Sequence, residues 1–322
     1  MKSSSKRLKA KIPAIMLKNN DGIILIDKNE GETSFDIVKK AKKIFKNKKI
    51  GHAGTLDPFA TGLLIILFGQ GTKLSSYLMT GKKRYLATMI LGVETDTLDK
   101  TGRIVKTIPA PHISPEEIRH VIQGFTGDIE QTPPLYSAIN YRGQRAYKLA
   151  RQGIDMQLKK RAVKIHSIDI LSVDLPDITF EVTCSSGTYI RSLAVDIGKS
   201  LGSTAHLRSL RRESSGIFQV KDAVDSKMMA ECLKGADVKD KTISLKDALA
   251  DMKECFVDRE WAKRIINGCR PGRGECASWD PLLGDYSGFV KLTHGESLVA
   301  IIELNGASRD DRAWFKSIRV FT

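Results

Sequence analysis

The chain is short of the residues that build metal centres and disulfide frameworks. Cysteine occurs five times, at Cys184, Cys232, Cys255, Cys269 and Cys276. The number is odd and no C-x-x-C pair exists, so neither a disulfide scaffold nor a zinc site is signalled. The six histidines are scattered, and no metal is expected. Unpaired thiols suit a reducing compartment. Long apolar runs are missing as well. The longest, LLIILF at 63–68, falls far short of the ~20 residues that a membrane-spanning helix needs. The N-terminal MKSSSKRLKAK is basic without the apolar segment of a secretory leader, so a cytoplasmic location and no membrane partner are expected.

Acidic residues are the third scarcity. Asp and Glu number 37 against 52 Lys and Arg, which leaves a net charge of +15 and a pI near 9.5. A surplus of that size favours a polyanionic partner, because each phosphate neutralised by Lys or Arg releases condensed counterions. Apolar residues make up 41% of the 322, enough for one large domain or two of unequal size.

Residues 1–18 read as a flexible basic tail. A strand is predicted at 22–27. A helix follows, capped by Thr33 or Ser34, with Phe35, Val38, Ala41 and Phe45 at helical spacing. Its other face carries Lys39, Lys40, Lys42, Lys43 and Lys46, either a solvated face or an RNA contact. Residues 51–62 form a Gly- and Pro-punctuated loop. Strands are predicted at 63–68 and 85–92, and a helix at 115–125. Residues 126–160 are irregular except for a short helix at 142–152, where Arg145, Lys148 and Arg151 form one basic stripe. Ile178, Phe180, Val182 and Cys184 alternate with polar residues as in a half-buried strand. Thr188 can cap a helix running to Leu201. Residues 205–212 add a basic loop containing Arg211 and Arg212.

Strands and helices mix without βαβ alternation. The expected class is α+β, a mixed and largely antiparallel sheet with flanking helices. A catalytic domain is expected over 19–251, with a helical-looking linker at 226–252. A small, mostly β domain follows over 252–322, with strands at 288–292, 297–304 and 316–321.

The most informative stretch is GHAGTLDPFATGLL, residues 51–64. It presents one carboxylate, Asp57, in a turn that Pro58 stiffens. General turn chemistry alone would make Asp57 a structural residue satisfying loop amides. Other clusters change that balance. Lys83-Arg84-Tyr85 puts a basic pair beside an aromatic, which suits a stacked base near a phosphate. CSSGTYIR at 184–191 places Tyr189 and Arg191 at the start of a helix directly after a strand.

GHAGTLDPFATG, KRY, TPPLYSAINYRGQRAYKLARQG and GTYIRSLAVDIG resemble, in order and spacing, the TruB-type tRNA pseudouridine synthases. The resemblance runs from about Asp21 to Phe218. It implies an enzyme without metal or organic cofactor that isomerises the uridine at position 55 in the T-loop of tRNA. Carried over by matching position, Asp57 is the nucleophile and Arg191 pairs with it. His52 stacks near the flipped base. Tyr85 stacks on the uracil and assists proton transfer, and Tyr189 and Leu210 line the pocket. Residues 126–160 resemble an insertion that clamps the RNA loop, and Arg145, Lys148, Arg151, Arg211 and Arg212 are the candidate phosphate contacts. The C-terminal segment resembles a PUA-like RNA-binding domain. One departure is visible: the family usually carries Lys-Pro where this chain has Lys28-Asn29, and only a local change is expected there. The expected partner is the T-arm of tRNA, bound by a monomer. Two other readings compete: a guide-RNA-dependent subunit of the dyskerin-like branch, and a tRNA-folding chaperone whose catalysis is incidental.

Overall fold

The computed structural model describes residues 21–45, 49–109, 112–233, 240–280, 283, 285–306, 308 and 314–321. The expected tail at 1–18 and Lys46 lie outside them. The chain divides between Ile243 and Ser244 into two compact units.

The larger unit is built on a ten-stranded sheet. Its first members are β1 (Gly22–Lys28), β2 (Ile50–Ala53), β3 (Thr61–Phe68) and β4 (Lys83–Leu91). A separate hairpin follows, β5 (Val93–Thr95) with β6 (Ile104–Thr107), then β7 (Gly127–Gln131) of the main sheet. A second small hairpin pairs β8 (Asn140–Tyr141) with β9 (Gln144–Arg145). The sheet is completed by β10 (Arg161–Asp174), β11 (Asp177–Cys184), β12 (Ala205–Ser215), β13 (Phe218–Gln219) and β14 (Val224–Asp225). The strand order is β14-β1-β3-β12-β4-β11-β10-β7, with β2 paired to β3 and β13 to β12. The β1–β14 and β3–β12 pairs are parallel. Pairing from β12 through β4, β11 and β10 to β7 is antiparallel throughout, so the sheet is mixed and largely antiparallel, as expected.

Burial follows from sequence pattern. β3 is apolar on both sides and sits inside the sheet, buried from Gly62 to Phe68. β4 and β11 alternate, and their inward residues Ala87, Met89, Phe180 and Val182 share a core with helices α1 (Ser34–Phe45), α3 (Pro115–Gln123) and α5 (Ile190–Ser200). A short α2 spans Ser75–Met79. On the outer side, Thr88 and Thr179 share a hydrogen bond at 3.0 Å and Arg84 pairs with Glu181 at 2.9 Å. Gly198 lets α5 lie close on β12, since a Cβ there would sit 2.8 Å from that of Ala205.

Several local expectations are resolved or corrected. Thr33 caps α1 by accepting the Asp36 amide at 3.1 Å, while Ser34 is engaged elsewhere. Thr188 does not cap α5; its hydroxyl donates to the Ser185 carbonyl at 2.9 Å, and Tyr189 is the cap residue. Residues 205–212 are strand, not loop, because β12 is zipped between β3 and β4. The loop predicted at 51–62 is narrower, since β2 and β3 pair into it. The irregular 126–160 stretch carries β7 and the β8–β9 hairpin, whose turn takes Arg142 and Gly143 to positive φ and delays helix α4 to Ala146–Arg151. The linker is not one helix. It holds the short α6 (Met229–Cys232) and a 3-10 turn at Asp247–Leu249, and Ile243 is drawn out to bond with Ile23.

The smaller unit has a four-stranded sheet in the order β15 (Lys253–Phe256), β16 (Ser287–His294), β17 (Ser297–Asn305), β18 (Phe315–Val320). β15 was not expected; it joins β16 in parallel. Helices α7 (Arg259–Ile266) and α8 (Arg273–Trp279) accompany the sheet, and Trp314, Val290, Leu292, Ile302 and Ile265 lie in its core. Among the described residues no helix is long and apolar enough to cross a membrane.

Candidate active site

The antiparallel β2–β3 pair, with His52 opposite Ile66, makes residues 54–60 a hairpin connection. Its course is closely tied. The Ser34 hydroxyl accepts the Leu56 amide at 2.9 Å and donates to the Leu56 carbonyl at 3.1 Å. Leu56 and Phe59 are buried on either side of Asp57. The Pro58 carbonyl accepts from the Gly31 amide at 2.9 Å and from Lys28 Nζ at 3.3 Å. Below the loop, Arg212 donates to the carbonyls of Leu63 at 2.7 Å and Gly54 at 3.1 Å. Gly62 permits this arrangement: its φ is +97°, and a Cβ would lie 2.4 Å from the Arg212 carbonyl oxygen. The anchored hairpin leaves Asp57 projecting with 34% of its surface open.

Arg191, in the first turn of α5 and only 4% exposed, meets Asp57 with Nε 2.9 Å from Oδ2. Its Nη1 donates to the Thr97 carbonyl at 2.8 Å and its Nη2 to that of Tyr136 at 3.0 Å. Asp99 stands behind, with Oδ2 3.7 Å from Nη1, and its other oxygen accepts from Thr97 and from the amide and hydroxyl of Thr101. The guanidinium is thus held by three chain segments, which a lysine's single ammonium could not reproduce. Burial pushes the Asp57 carboxyl above its ordinary range and Asp99 adds to the push, while Arg191 and, more weakly, Lys28 oppose it. Lys28 is itself fully buried, donates to the carbonyls of Asn29, Glu32 and Pro58, and is lowered by burial to a pKa of about 8.

Tyr85 and Tyr189 lie within electrostatic reach of Asp57. Tyr85 lies in register between Arg212 and Val182, is 7% exposed, and has its phenol pushed up by burial, with Arg212 pulling the other way. The charge of Asp57 reaches both Tyr85 and Tyr189, and that of Arg191 reaches Tyr189. Burial also raises the Tyr189 phenol. His52 is held below its ordinary pKa by burial and by Arg212, so it is a neutral ring, and its buried Nδ1 has no hydrogen-bond partner. Leu210, opposite Ala87, is buried two residues before Arg212 on the same face of β12.

The basic candidates separate. Arg212 is 1% exposed and committed to backbone carbonyls, so it cannot reach a phosphate; it belongs to the floor of the site. Arg211 points to the opposite face of the sheet and is held by Asp27 at 2.7 and 3.0 Å and by Glu213 at 3.0 Å, which neutralises it. Arg145, Lys148 and Arg151 stay exposed while Ala146 and Leu149 turn inward. Arg145 donates to the Ala138 carbonyl at 2.6 Å, and Arg151 lies over the Tyr147 ring at 5.7 Å. Lys28, Asp99 and Gln131 were missed. A lysine ending an apolar strand and an aspartate in a Thr-rich turn have no local mark of function. Asn29, the departure from the family's proline, donates from its side-chain amide to Asp225 at 2.7 Å and Ser226 at 2.8 Å. Among the described residues no group of three or more His, Cys, Asp or Glu could hold a metal ion.

Comparison with known proteins shows the family. Residues 42–190 match the family model of the TruB family pseudouridylate synthase N-terminal domain, and residues 191–257 that of the tRNA pseudouridylate synthase B C-terminal domain. The tRNA pseudouridine synthase B of Clostridium kluyveri is 44% identical over 248 residues, 77% of this chain and 84% of that protein. That of Syntrophotalea carbinolica is 37% identical over 307 residues, 94% of this chain and 98% of that protein. Among solved structures, a Cbf5-Nop10-Gar1 complex aligns with a TM-score of 0.68 at 24% identity, covering 93% of this chain and 82% of the matched one, which speaks to the fold.

Proposed function

The chain belongs to the TruB family of tRNA pseudouridine synthases, and on that premise we propose that Asp57 is the group that isomerises a T-loop uridine of tRNA. The reaction breaks the bond from C1′ to uracil N1, turns the base, and joins C1′ to C5. N1 gains a proton and C5 gives one up. An ionised carboxylate can serve it by attacking C1′ or C6, or by drawing a proton from C2′. The observation that carries the reading is the Asp57–Arg191 pair: a one-third-open carboxylate gripped at Oδ2 by a fully anchored guanidinium, with two phenols as neighbours. The contact from Nε is to Oδ2, and Oδ1 is the oxygen that addresses the nucleoside.

The target base must leave its stack first, at a cost of a few kcal/mol. Stacking on rings such as Tyr85 and His52 returns about 1–3 kcal/mol per base. A neutral His52 can stack without a charge to desolvate. Tyr189 and Leu210 complete the walls, and the exposed Arg145, Lys148 and Arg151 stripe holds phosphates, which sets register and not sequence. The smaller unit adds an RNA grip. We infer that the protein acts as a monomer in the cytoplasm, with no cofactor.

The test is mass mapping of pseudouridine in an unmodified T-arm stem-loop. Wild type alone should form it. Asp57→Asn should form none while binding the RNA within about threefold of wild type, because phosphate contacts persist. Turnover by Asp57→Asn would remove Asp57 from this role.

A further inference from the structure

α5 begins without the side-chain cap that helices ordinarily use: Tyr189 is its cap residue and makes no side-chain cap bond. The cap residue itself is instead held from another strand. Gln131, the last residue of β7, accepts the Tyr189 amide proton on Oε1 at 3.0 Å and donates from Nε2 to the Tyr189 carbonyl at 3.1 Å. The two contacts together dictate which end of the amide is which. Gln131 is 1% exposed, and both of its polar atoms are engaged by the backbone of this one residue. The next turn is stitched to the same segment: the Ser192 hydroxyl donates to the Thr132 carbonyl at 2.8 Å, and Arg191 Nη2 to the Tyr136 carbonyl at 3.0 Å.

We infer that Gln131 is a positioning residue for the reaction, fixing the first turn of α5 so that Tyr189 and Arg191 both face Asp57. It touches no substrate and acts through the backbone of Tyr189. Few other side chains have the required form, a planar group with one acceptor and one donor side by side. Asn is a methylene shorter. Glu supplies the donor only while protonated. The inference rests on the reading of Asp57, Arg191 and Tyr189 given above.

That difference between Gln and Glu is the test. The introduced carboxyl of Gln131→Glu would sit in a buried position, where desolvation raises its pKa. The charged groups facing it are Arg161, its register partner on β10, and Arg191 with Asp57 beyond. The cations pull it down. Burial outweighs them, as it does at Asp57 despite an arginine at 2.9 Å. Protonated, the carboxyl keeps both bonds to Tyr189. Ionised, it sets a charged oxygen against a carbonyl.

Single-turnover rates and KM on a tRNA transcript are measured for wild type, Gln131→Glu, Gln131→Met and Asp57→Asn, with circular dichroism at each pH. At about pH 6 Gln131→Glu should lie within about threefold of wild type, and by about pH 8.5 it should have lost about tenfold more, with KM steady. Gln131→Met, lacking both bonds, should be slow by about tenfold or more at every pH. A constant ratio of Gln131→Glu to wild type across pH, a loss confined to KM, or a loss that tracks unfolding would each overturn the inference. If Gln131→Met does not fold, the pH ratio of Gln131→Glu still decides. An inactive Asp57→Asn beside wild-type-like Gln131 variants would sink this inference alone, whereas an active Asp57→Asn would sink the reading beneath it.

Discussion

Replacing Arg191 by methionine separates electrostatic support from mere packing. The guanidinium sits 2.9 Å from Asp57 Oδ2, and the carboxylate keeps 34% of its surface. At an effective dielectric of ~20, a unit charge pair at that distance is worth about 6 kcal/mol. Solvent at the open side screens it, and about half is a fair allowance. At about 1.4 kcal/mol per decade, that predicts a loss of about a hundredfold in single-turnover rate at neutral pH. The sign of the pH effect is fixed by the same geometry. Burial and Asp99 already push the Asp57 carboxyl up, and Arg191 is the largest opposing influence. Without it the carboxyl must be protonated to higher pH, so the acid limb of the rate profile moves alkaline and the variant recovers part of its deficit as pH rises. The assay is release of tritium from C5-labelled uridine in tRNA, since C5 surrenders its hydrogen on bonding to C1′. Circular dichroism guards against unfolding, because the Thr97 and Tyr136 carbonyls lose their donors too. A rate within threefold of wild type, or an acid limb that stays put, would refute the reasoning.

Lys28 offers a stability test. Its folded pKa of about 8 lies below the ordinary 10.5, so between those values the unfolded chain binds more protons and stability rises with pH. Relative to Lys28→Met, wild type should gain up to about 3 kcal/mol in urea unfolding as pH rises from about 8 towards 10.5; no gain would mean the lysine is not so buried. On the RNA side, Lys148→Glu with Arg151→Glu should raise KM several-fold and flatten the salt dependence of binding by about one unit per lost phosphate contact. An unchanged slope would place the stripe outside the interface. Arg212→Met should lower the melting temperature and abolish turnover while leaving the salt slope unaltered, since its guanidinium is enclosed by the β2–β3 hairpin; a shifted slope would contradict its burial.

Much of this architecture was legible because its signals are local. β11 alternates, β3 is apolar throughout, and α5 repeats its inward residues at helical spacing. Where expectation failed, a distant partner had decided the matter. Residues 205–212 read as a basic loop because their charges were counted, and only the pairing with β3 and β4 shows why Arg211 and Arg212 point to opposite faces. Thr188 looked like a cap, but Tyr189 takes that place, and its backbone is held by Gln131, fifty-eight positions from it.

Residue type and order alone determined that this is a basic α+β protein of a known enzyme family, with Asp57 in a stiffened turn and Arg191 at a helix start. Those features depend on neighbours within a few residues, where periodicity, turn chemistry and motif spacing are written directly. Tertiary structure alone decided which arginine is walled in beneath the carboxylate and which is neutralised on the far face. It also brought in Lys28, Asp99 and Gln131 as supports. Hydrogen bonds and charge pairs act over about 3 Å through space, and separation along the chain carries no record of that distance until the strands are paired.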